Sequence, residues 1–321
     1  MRYVPGIRAL VTGGGGFIGS HLARRLLHDG LEVRVLDNFA TGRRENLLDI
    51  WDDVELVEGD IQSYERVHNA VRGCHVIAHL AALPSVPRSV QDPLTSNATN
   101  VTGTLNVLLA ARDADVGRLV YASSSSVYGA NPDLPKREEQ ATLPISPYAV
   151  AKLAGESYCR AFHEVFGLET VALRFFNVFG PGQDPLSQYA AVIPRFITAL
   201  LEGRPPTIYG DGEQSRDFTY VDNVLDGVTL ALSTAGNGGK ALNLATGHGV
   251  TLNDLARMLG EIIGTDIQPV YEEGRPGEVR HSQADISRAR EALGFEPAIS
   301  IEEGLARTVE SFQHKAAVSG D

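Results

Sequence analysis

Along the first half of the chain, apolar and polar positions alternate between two periods. Short runs rich in β-branched residues at Ile7–Val11, Glu32–Leu36, Val54–Glu58, Val76–Leu80, Arg118–Ala122 and Thr170–Phe175 predict strands. Between them Phe17–His28, Tyr64–Val71, Pro93–Ala114 and Pro147–Val165 predict helices, several with apolar residues three and four apart. Regular alternation of the two is the habit of a parallel sheet wrapped by helices, so the expected fold class is α/β, a doubly wound parallel Rossmann sheet. After Phe176 the texture changes. Gly180, Pro181, Gly182 and Pro185 mark one loop, and Pro205, Pro206, Gly210 and Gly212 another, which introduces a smaller α/β C-terminal lobe. Thr251 with Asp254 and Ser300 with Glu303 are spaced as capping boxes and mark two helix starts there. The expected division is residues 1–176 and 213–246 in the Rossmann domain, 177–212 and 247–314 in the second lobe, and 315–321 as a tail.

Composition narrows the classes of partner. The 321 residues are 43% hydrophobic and 21% charged, as in an ordinary water-soluble globular protein. A formal charge of −12, with no local run of Lys and Arg, repels a phosphate backbone, so nucleic acid is not an expected partner. Cys74 and Cys159 have no spacing that suggests a disulfide framework or a zinc site, so no metal is expected and a reducing, cytoplasmic compartment fits. The first apolar run enters a glycine turn, unlike a signal peptide, and no stretch nears the ~18 apolar residues of a membrane span.

Thr12-Gly13-Gly14-Gly15-Gly16-Phe17-Ile18-Gly19 leaves the first predicted strand and opens the first predicted helix. Glycines at 13, 16 and 19 permit a tight turn, close backbone approach to a pyrophosphate and close packing of helix on sheet. Asp37 ends the second strand 18 residues beyond Gly19, close to the spacing expected of a carboxylate that bonds the adenosine ribose. Its charge opposes a 2′-phosphate and favours NAD over NADP. Arg43 and Arg44, several residues further on, read either as solvated loop cations or as partners of that phosphate. Asp60, Ala81 and Ala82 follow strand ends, where this architecture places ligands.

A second group of residues has reaction chemistry. Tyr148 and Lys152 lie four apart at the start of a predicted helix and so share one face. The pair reads as surface neighbours or as a base with its activating cation, since a tyrosine that titrates near ~10 needs a nearby positive charge to act near neutrality. Upstream, Ser123, Ser124, Ser125 and Ser126 leave the fifth strand as a turn dense in small donors and acceptors.

With these segments in order, the chain resembles the NAD-dependent sugar-nucleotide epimerases and dehydratases of the extended short-chain dehydrogenase/reductase superfamily. The resemblance rests on the glycine turn, Asp37, Asp60-Ile61, His79-Leu80-Ala81-Ala82, Asn100-Val101 with Gly103-Thr104, the serine run, Tyr148 to Lys152 and Arg174-Phe175-Phe176-Asn177-Val178-Phe179-Gly180-Pro181. It implies a catalytic trio of Ser124, Tyr148 and Lys152, with Lys152 lowering the Tyr148 pKa and holding the nicotinamide ribose. For NAD it further implies Gly13, Gly16, Phe17, Ile18, Gly19, Asp37, Asn38, Asp60, Ile61, Leu80, Ala81 and Ala82. For a UDP-sugar it implies Ser124, Ser125, Ser126, Tyr148 and Asn177, with Val192 and Tyr209 near the base, Arg216 and Arg275 on the diphosphate, and Asp285 and Arg88 at the sugar. A homodimer built on Pro93–Ala114 and Pro147–Val165 is implied as well, although those apolar faces also suit covering the sheet.

Dehydratases that resemble this loop place an Asp-Glu pair where Ser125 and Ser126 stand, so the resemblance implies C4 epimerisation with tightly held NAD that is not consumed. The segment from Ser85 to Ser89 and that from Thr95 to Val101 resemble bacterial epimerases of UDP-N-acetylglucosamine and its uronate. Ser282 matches a position where a bulky tyrosine in some members restricts the sugar pocket. The hydroxyls of Ser124 to Ser126 suit a C6 carboxylate, with Arg88 as an added charge, so UDP-glucuronate to UDP-galacturonate leads. UDP-N-acetylglucosamine, its uronate and UDP-glucose follow. A non-catalytic NAD or nucleotide-sugar binding protein on the same fold is the reading from another class, and the intact trio counts against it.

Overall fold

The computed structural model describes residues 6–184, 191–274 and 279–319. Six strands follow in order, β1 (Arg8–Thr12), β2 (Glu32–Asp37), β3 (Val54–Glu58), β4 (Val76–His79), β5 (Arg118–Ser124) and β6 (Glu169–Phe175). Short strands β7 (Val178–Phe179), β8 (Thr207–Tyr209), β9 (Ser215–Arg216) and β10 (Thr219–Tyr220) precede β11 (Lys240–Leu244), then β12 (Val250–Thr251), β13 (Val270–Glu272) and β14 (His281–Ser282). The central sheet has seven strands in the order β11-β6-β5-β4-β1-β2-β3, all parallel. The order reverses between β1 and β4, and the crevice beyond their C-terminal ends is where this topology receives ligands.

The two-residue period of the strands builds two cores. Ala9 and Val11 face one side with Leu22, Ala23 and Leu26 of α1 (Phe17–His28), while Leu10 faces the other with Val67, Ala70 and Val71 of α2 (Tyr64–Val71). The predicted helix Pro93–Ala114 is one helical run of three segments, α4 (Pro93–Asn97), a π-helical stretch Ala98–Gly103 and α5 (Thr104–Asp113). Before it lies the unanticipated α3 (Val86–Gln91), whose cap residue Ser85 has φ 98°. α6 (Pro147–Phe166) begins at Ser146, which accepts from the Ala149 N–H, and ends on Gly167 in the left-handed region.

Beyond residue 190 come α7 (Val192–Leu201), α9 (Leu252–Ile263), α10 (Ser287–Leu293) and small sheets, whereas α8 (Val221–Ser233) packs into the main core and β11 pairs with β6 in the central sheet. At the expected boundary β9 pairs with β12 and β14, so 215–216 is woven into the second lobe's sheet. Both N-caps form, with the Asp254 N–H on Thr251 Oγ1 at 3.0 Å and the Glu303 N–H on Ser300 Oγ at 3.2 Å. The expected tail is a correction. Helix α11 (Ile301–Ser319) runs through most of it, because nothing in 314–319 breaks a helix once it is capped at Ser300.

Candidate active site

The glycine turn is as tight as its composition predicts. Gly13 has φ 75°, and a Cβ there would stand 2.7 Å from the Ala81 nitrogen. The N-cap of α1 is Gly16, with no side-chain cap and no acidic residue in the first turn. Its leading N–H groups are therefore left to an external acceptor, which suits a pyrophosphate and supplies the fit test for NAD. Asp37 is buried, and its carboxylate accepts from the Gly15 N–H at 2.8 Å and the Phe39 N–H at 2.7 Å. Burial raises its pKa and those backbone donors oppose the rise. Asp37 thus also ties the second strand to the glycine turn, a task that spacing alone did not reveal. Asp60 accepts from Asn38 Nδ2 at 2.8 Å, Ile61 is buried, and Leu80, Ala81 and Ala82 border the turn half-buried. Arg43 pairs with Asp184 and Arg44 with Glu58, so both loop arginines have carboxylate partners.

At the end of β5, Ser124 caps a 3₁₀ turn, Ser125–Tyr128. Its Oγ accepts from the Ser126 N–H at 3.2 Å and the Ser126 hydroxyl at 2.9 Å, which leaves its own proton to donate, and Tyr148 is hydrogen-bonded to it. Burial pushes the Tyr148 phenol up to about 12, and the Ser124 hydrogen bond works against that. Lys152 is buried, donates to the Ala122 carbonyl at 2.8 Å, and holds its Nζ 5.8 Å from the Tyr148 ring centroid. Burial pulls its pKa down to about 8, opposed by Cys159 and Glu156. The predicted trio is therefore one cluster with a hydroxyl, a phenol and a cation in contact range.

Across the crevice, Asn177, Val192 and Arg216 line one cavity of about 210 Å³ together with Phe179, Phe218 and Leu252. Arg216 donates to the Ser215 and Arg280 carbonyls at 2.9 and 3.1 Å, and Ser282 pairs with it across β14 and β9. Tyr209 stands apart from this lining on β8, with the Arg195 guanidinium 5.7 Å above its ring. Asp285 is occupied by Arg137 at 3.1 Å and by the Ser287 N–H at 2.8 Å. Arg88 lies on α3, which packs against α6, and Arg275 lies outside the described residues.

The chain matches the NAD dependent epimerase/dehydratase family over residues 9–245. It belongs to that family. A UDP-glucose 4-epimerase of Mycolicibacterium smegmatis is 41% identical over 97% of this chain and 100% of its own. The UDP-N-acetylglucosamine 4-epimerase of Methanobrevibacter ruminantium, solved with UDP-N-acetylmuramic acid, is 40% identical with a TM-score of 0.93, covering 97% of this chain and 100% of its own. The UDP-glucuronic acid 4-epimerase of Bacillus cereus, solved with UDP-glucuronic acid and NAD, is 33% identical with a TM-score of 0.89, covering 96% and 100%. The chain is thus an NAD-dependent enzyme of the UDP-sugar 4-epimerase group.

This family member also has buried polar residues behind its site that the sequence did not single out. Ser89 accepts from the Tyr148 N–H at 3.0 Å, which satisfies a first-turn donor of α6. Glu156, one turn beyond Lys152, takes both arms of Arg174 at 2.9 and 2.8 Å and the Ser123 hydroxyl at 2.5 Å, fixing the strand end that presents Ser124. In the second lobe Asp217, fully buried, accepts from the Thr246, Gly247 and Ala284 N–H groups and the Thr246 hydroxyl. Among the described residues, no group of His, Cys, Asp and Glu is arranged to hold a metal ion, and no helix is long and apolar enough to cross a membrane.

Proposed function

We propose that this enzyme interconverts the C4 configuration of a UDP-sugar through a transient 4-keto intermediate, with UDP-glucuronate and UDP-galacturonate as the leading pair. The observation that carries the reading is Tyr148 hydrogen-bonded to Ser124 with the buried Lys152 ammonium 5.8 Å from its ring. NAD, when bound, supplies a reversible hydride acceptor for C4. Tyr148 takes the O4 proton and returns it after the sugar turns over about its diphosphate linkage. Lys152 stabilises the phenolate, without which a phenol near 12 is a scarce base at neutral pH. Ser124, whose oxygen is already polarised by two donors, aligns O4 with the phenol. The glycine turn and Asp37 hold the cofactor, and Asn177, Val192 and Arg216 hold the nucleotide diphosphate.

Three hydroxyls in one turn, Ser124 to Ser126, match a carboxylate on C6, and the likeness to the Bacillus cereus enzyme supports that choice. The likeness at 40% identity to an N-acetylglucosamine epimerase, with the small Ser282 beside Arg216, favours UDP-N-acetylglucosamine as the second reading. Incubation with UDP-glucuronate and no added NAD, followed by proton NMR of the C4 configuration, tests both substrate and cofactor retention. Appearance of UDP-galacturonate is the expected outcome; conversion of the N-acetylated sugar alone moves the assignment to it. Val90, Leu94 and Val150 are exposed on α3, α4 and α6, and we assign that face to a homodimer, with light scattering as its test. The free, buried thiols of Cys74 and Cys159 accord with a cytoplasmic protein.

A further inference from the structure

His79, the last residue of β4, is buried and takes no part in the chemistry above. Burial, with the Lys152 charge adding to it, drives its pKa down to about 3, so the ring is neutral at any working pH. One nitrogen of a neutral imidazole donates and the other accepts, and the neighbours decide which. The Thr104 hydroxyl gives its proton to the Asn100 carbonyl at 2.7 Å. It can therefore only accept from His79 Nε2, 3.0 Å away. Tyr121, the other hydroxyl beside Thr104, has the Lys152 carbonyl as its own acceptor at 3.5 Å. His79 Nδ1 is thus the acceptor for the Thr12 hydroxyl at 2.7 Å, and Thr12 Oγ1 in turn accepts from the Ala81 N–H at 3.2 Å. Every polar atom in the chain from Ala81 to Asn100 is satisfied by this one assignment. Asn100 closes the loop, since its side chain accepts from the Leu83 N–H at 2.7 Å and donates to the Leu83 carbonyl at 3.0 Å.

The wire ends on the two backbone segments that face each other over the crevice. Thr12 leads into Gly13, and Gly13 lies so near Ala81 that a methyl group on its Cα would reach within 2.7 Å of the Ala81 nitrogen and 2.8 Å of its Cα. We propose that His79 is a positioning residue whose fixed Nε2–H tautomer sets the spacing between the Thr12-Gly13 turn and the Ala81–Leu83 segment, and through it the tightness with which NAD is held. The inference rests on reading the glycine turn as the cofactor cradle.

Two substitutions separate this from a merely structural role. His79→Asn puts an amide oxygen where Nδ1 stood, keeping the acceptor for Thr12 and losing the donor to Thr104. His79→Gln puts an amide nitrogen where Nε2 stood, keeping the donor and losing the acceptor. Each forfeits one buried hydrogen bond and part of the ring volume, so a space-filling residue predicts similar losses for both. Breaking the hydrogen bond between Thr12 and His79 Nδ1 should weaken NAD about tenfold or more in His79→Gln and in Thr12→Val, while His79→Asn stays within about threefold of wild type. The readouts are the NAD retained through gel filtration of the purified holoenzyme and the Kd by calorimetry. Wild-type ¹⁵N ring shifts, which need no variant to fold, should report a neutral Nε2–H imidazole throughout pH 5 to 9. Equal NAD affinity in the two variants, or an Nδ1–H ring, overturns the proposal. A wild-type protein that binds no NAD would remove the cofactor reading along with it.

Discussion

The two halves of the crevice are held by different forces. On the cofactor side, seven parallel strands and their helices bury continuous apolar faces, and the polar residues at the strand ends rest on that frame. On the nucleotide-sugar side, strands of two or three residues bury little on their own. Helices α7, α9 and α10 supply the apolar burial there, while single buried polar residues tie the short strands and loops to one another and to the last strand of the sheet. Asp217 gathers residues 246, 247 and 284. Asn243 accepts from the Tyr128 hydroxyl at 2.6 Å, donates from its backbone to Glu138, and donates from its side chain to the Lys136 and Asp285 carbonyls at 2.8 and 3.1 Å. A core spread over many apolar contacts tolerates small losses, whereas a hub concentrates the cost of any one substitution.

The sharpest probe of the cofactor side is Tyr148→Phe, which keeps the packing and removes the hydroxyl. A loss of about 10²–10⁴-fold in kcat is expected, with NAD still bound and the fold intact by circular dichroism. Near-normal turnover would take the reaction away from Tyr148. Across the crevice, Arg216→Ala should raise the UDP-sugar KM about 10- to 100-fold and leave NAD affinity unchanged, because a charged contact is worth roughly 1.5–3 kcal/mol.

Asp217→Asn exchanges an acceptor of four hydrogen bonds for a group that must turn a donor toward N–H groups. A stability loss of roughly 1–3 kcal/mol is expected, localised to the second lobe. Hydrogen exchange should show faster amides around residues 215–217, 246–251 and 281–285 with β1 to β6 still protected. Uniform loss of protection would break the contrast between the two regions.

The smallest effect runs the other way. Lys152 is an ammonium held at about 8 instead of 10.5, so burying its charge costs stability below pH 8. Between pH 8 and 10.5 the unfolded chain binds the proton that the folded one has released, and the contribution of this residue to stability should rise with pH. Lys152→Met should therefore stabilise the cofactor-free protein at pH 7 by about 0.5–2 kcal/mol in chemical denaturation while abolishing turnover. A lower stability would mean that the charge is better solvated than its burial implies.

The same contrast explains what could be read in the amino-acid sequence. β1 to β6, α1, α2 and α6 follow from periodicity and caps to within one or two residues, and the glycine turn follows from its spacing, because each is a local pattern; the trio comes from the resemblance, and the structure places its three side chains together. α3 escaped because it is six residues long, contains Pro87 and starts at a serine with φ 98°. The π-helical stretch has no residue code of its own. His79 enters only as part of a matching segment, and Glu156, Asp217 and Asn243 look like surface positions in one dimension. Their burial goes with pairings 18 to 115 residues away that no local window contains. Tyr209 and Asp285, implied by the resemblance, are not among the residues that line the cavity and have partners of their own.

Asn243 also bears on how relatives of this enzyme can be recombined. The residue sits on the last strand of the sheet, yet its four partners come from the serine turn, the 136–138 loop and the 285 segment. A chimera that exchanges the substrate lobe at residue 246 would cut through this knot and mix donors and acceptors from two parents. Graft boundaries that carry Tyr128, Lys136 to Glu138, Asn243 and Asp285 from one parent keep the knot whole, which makes those six positions the natural unit of exchange for altering sugar preference.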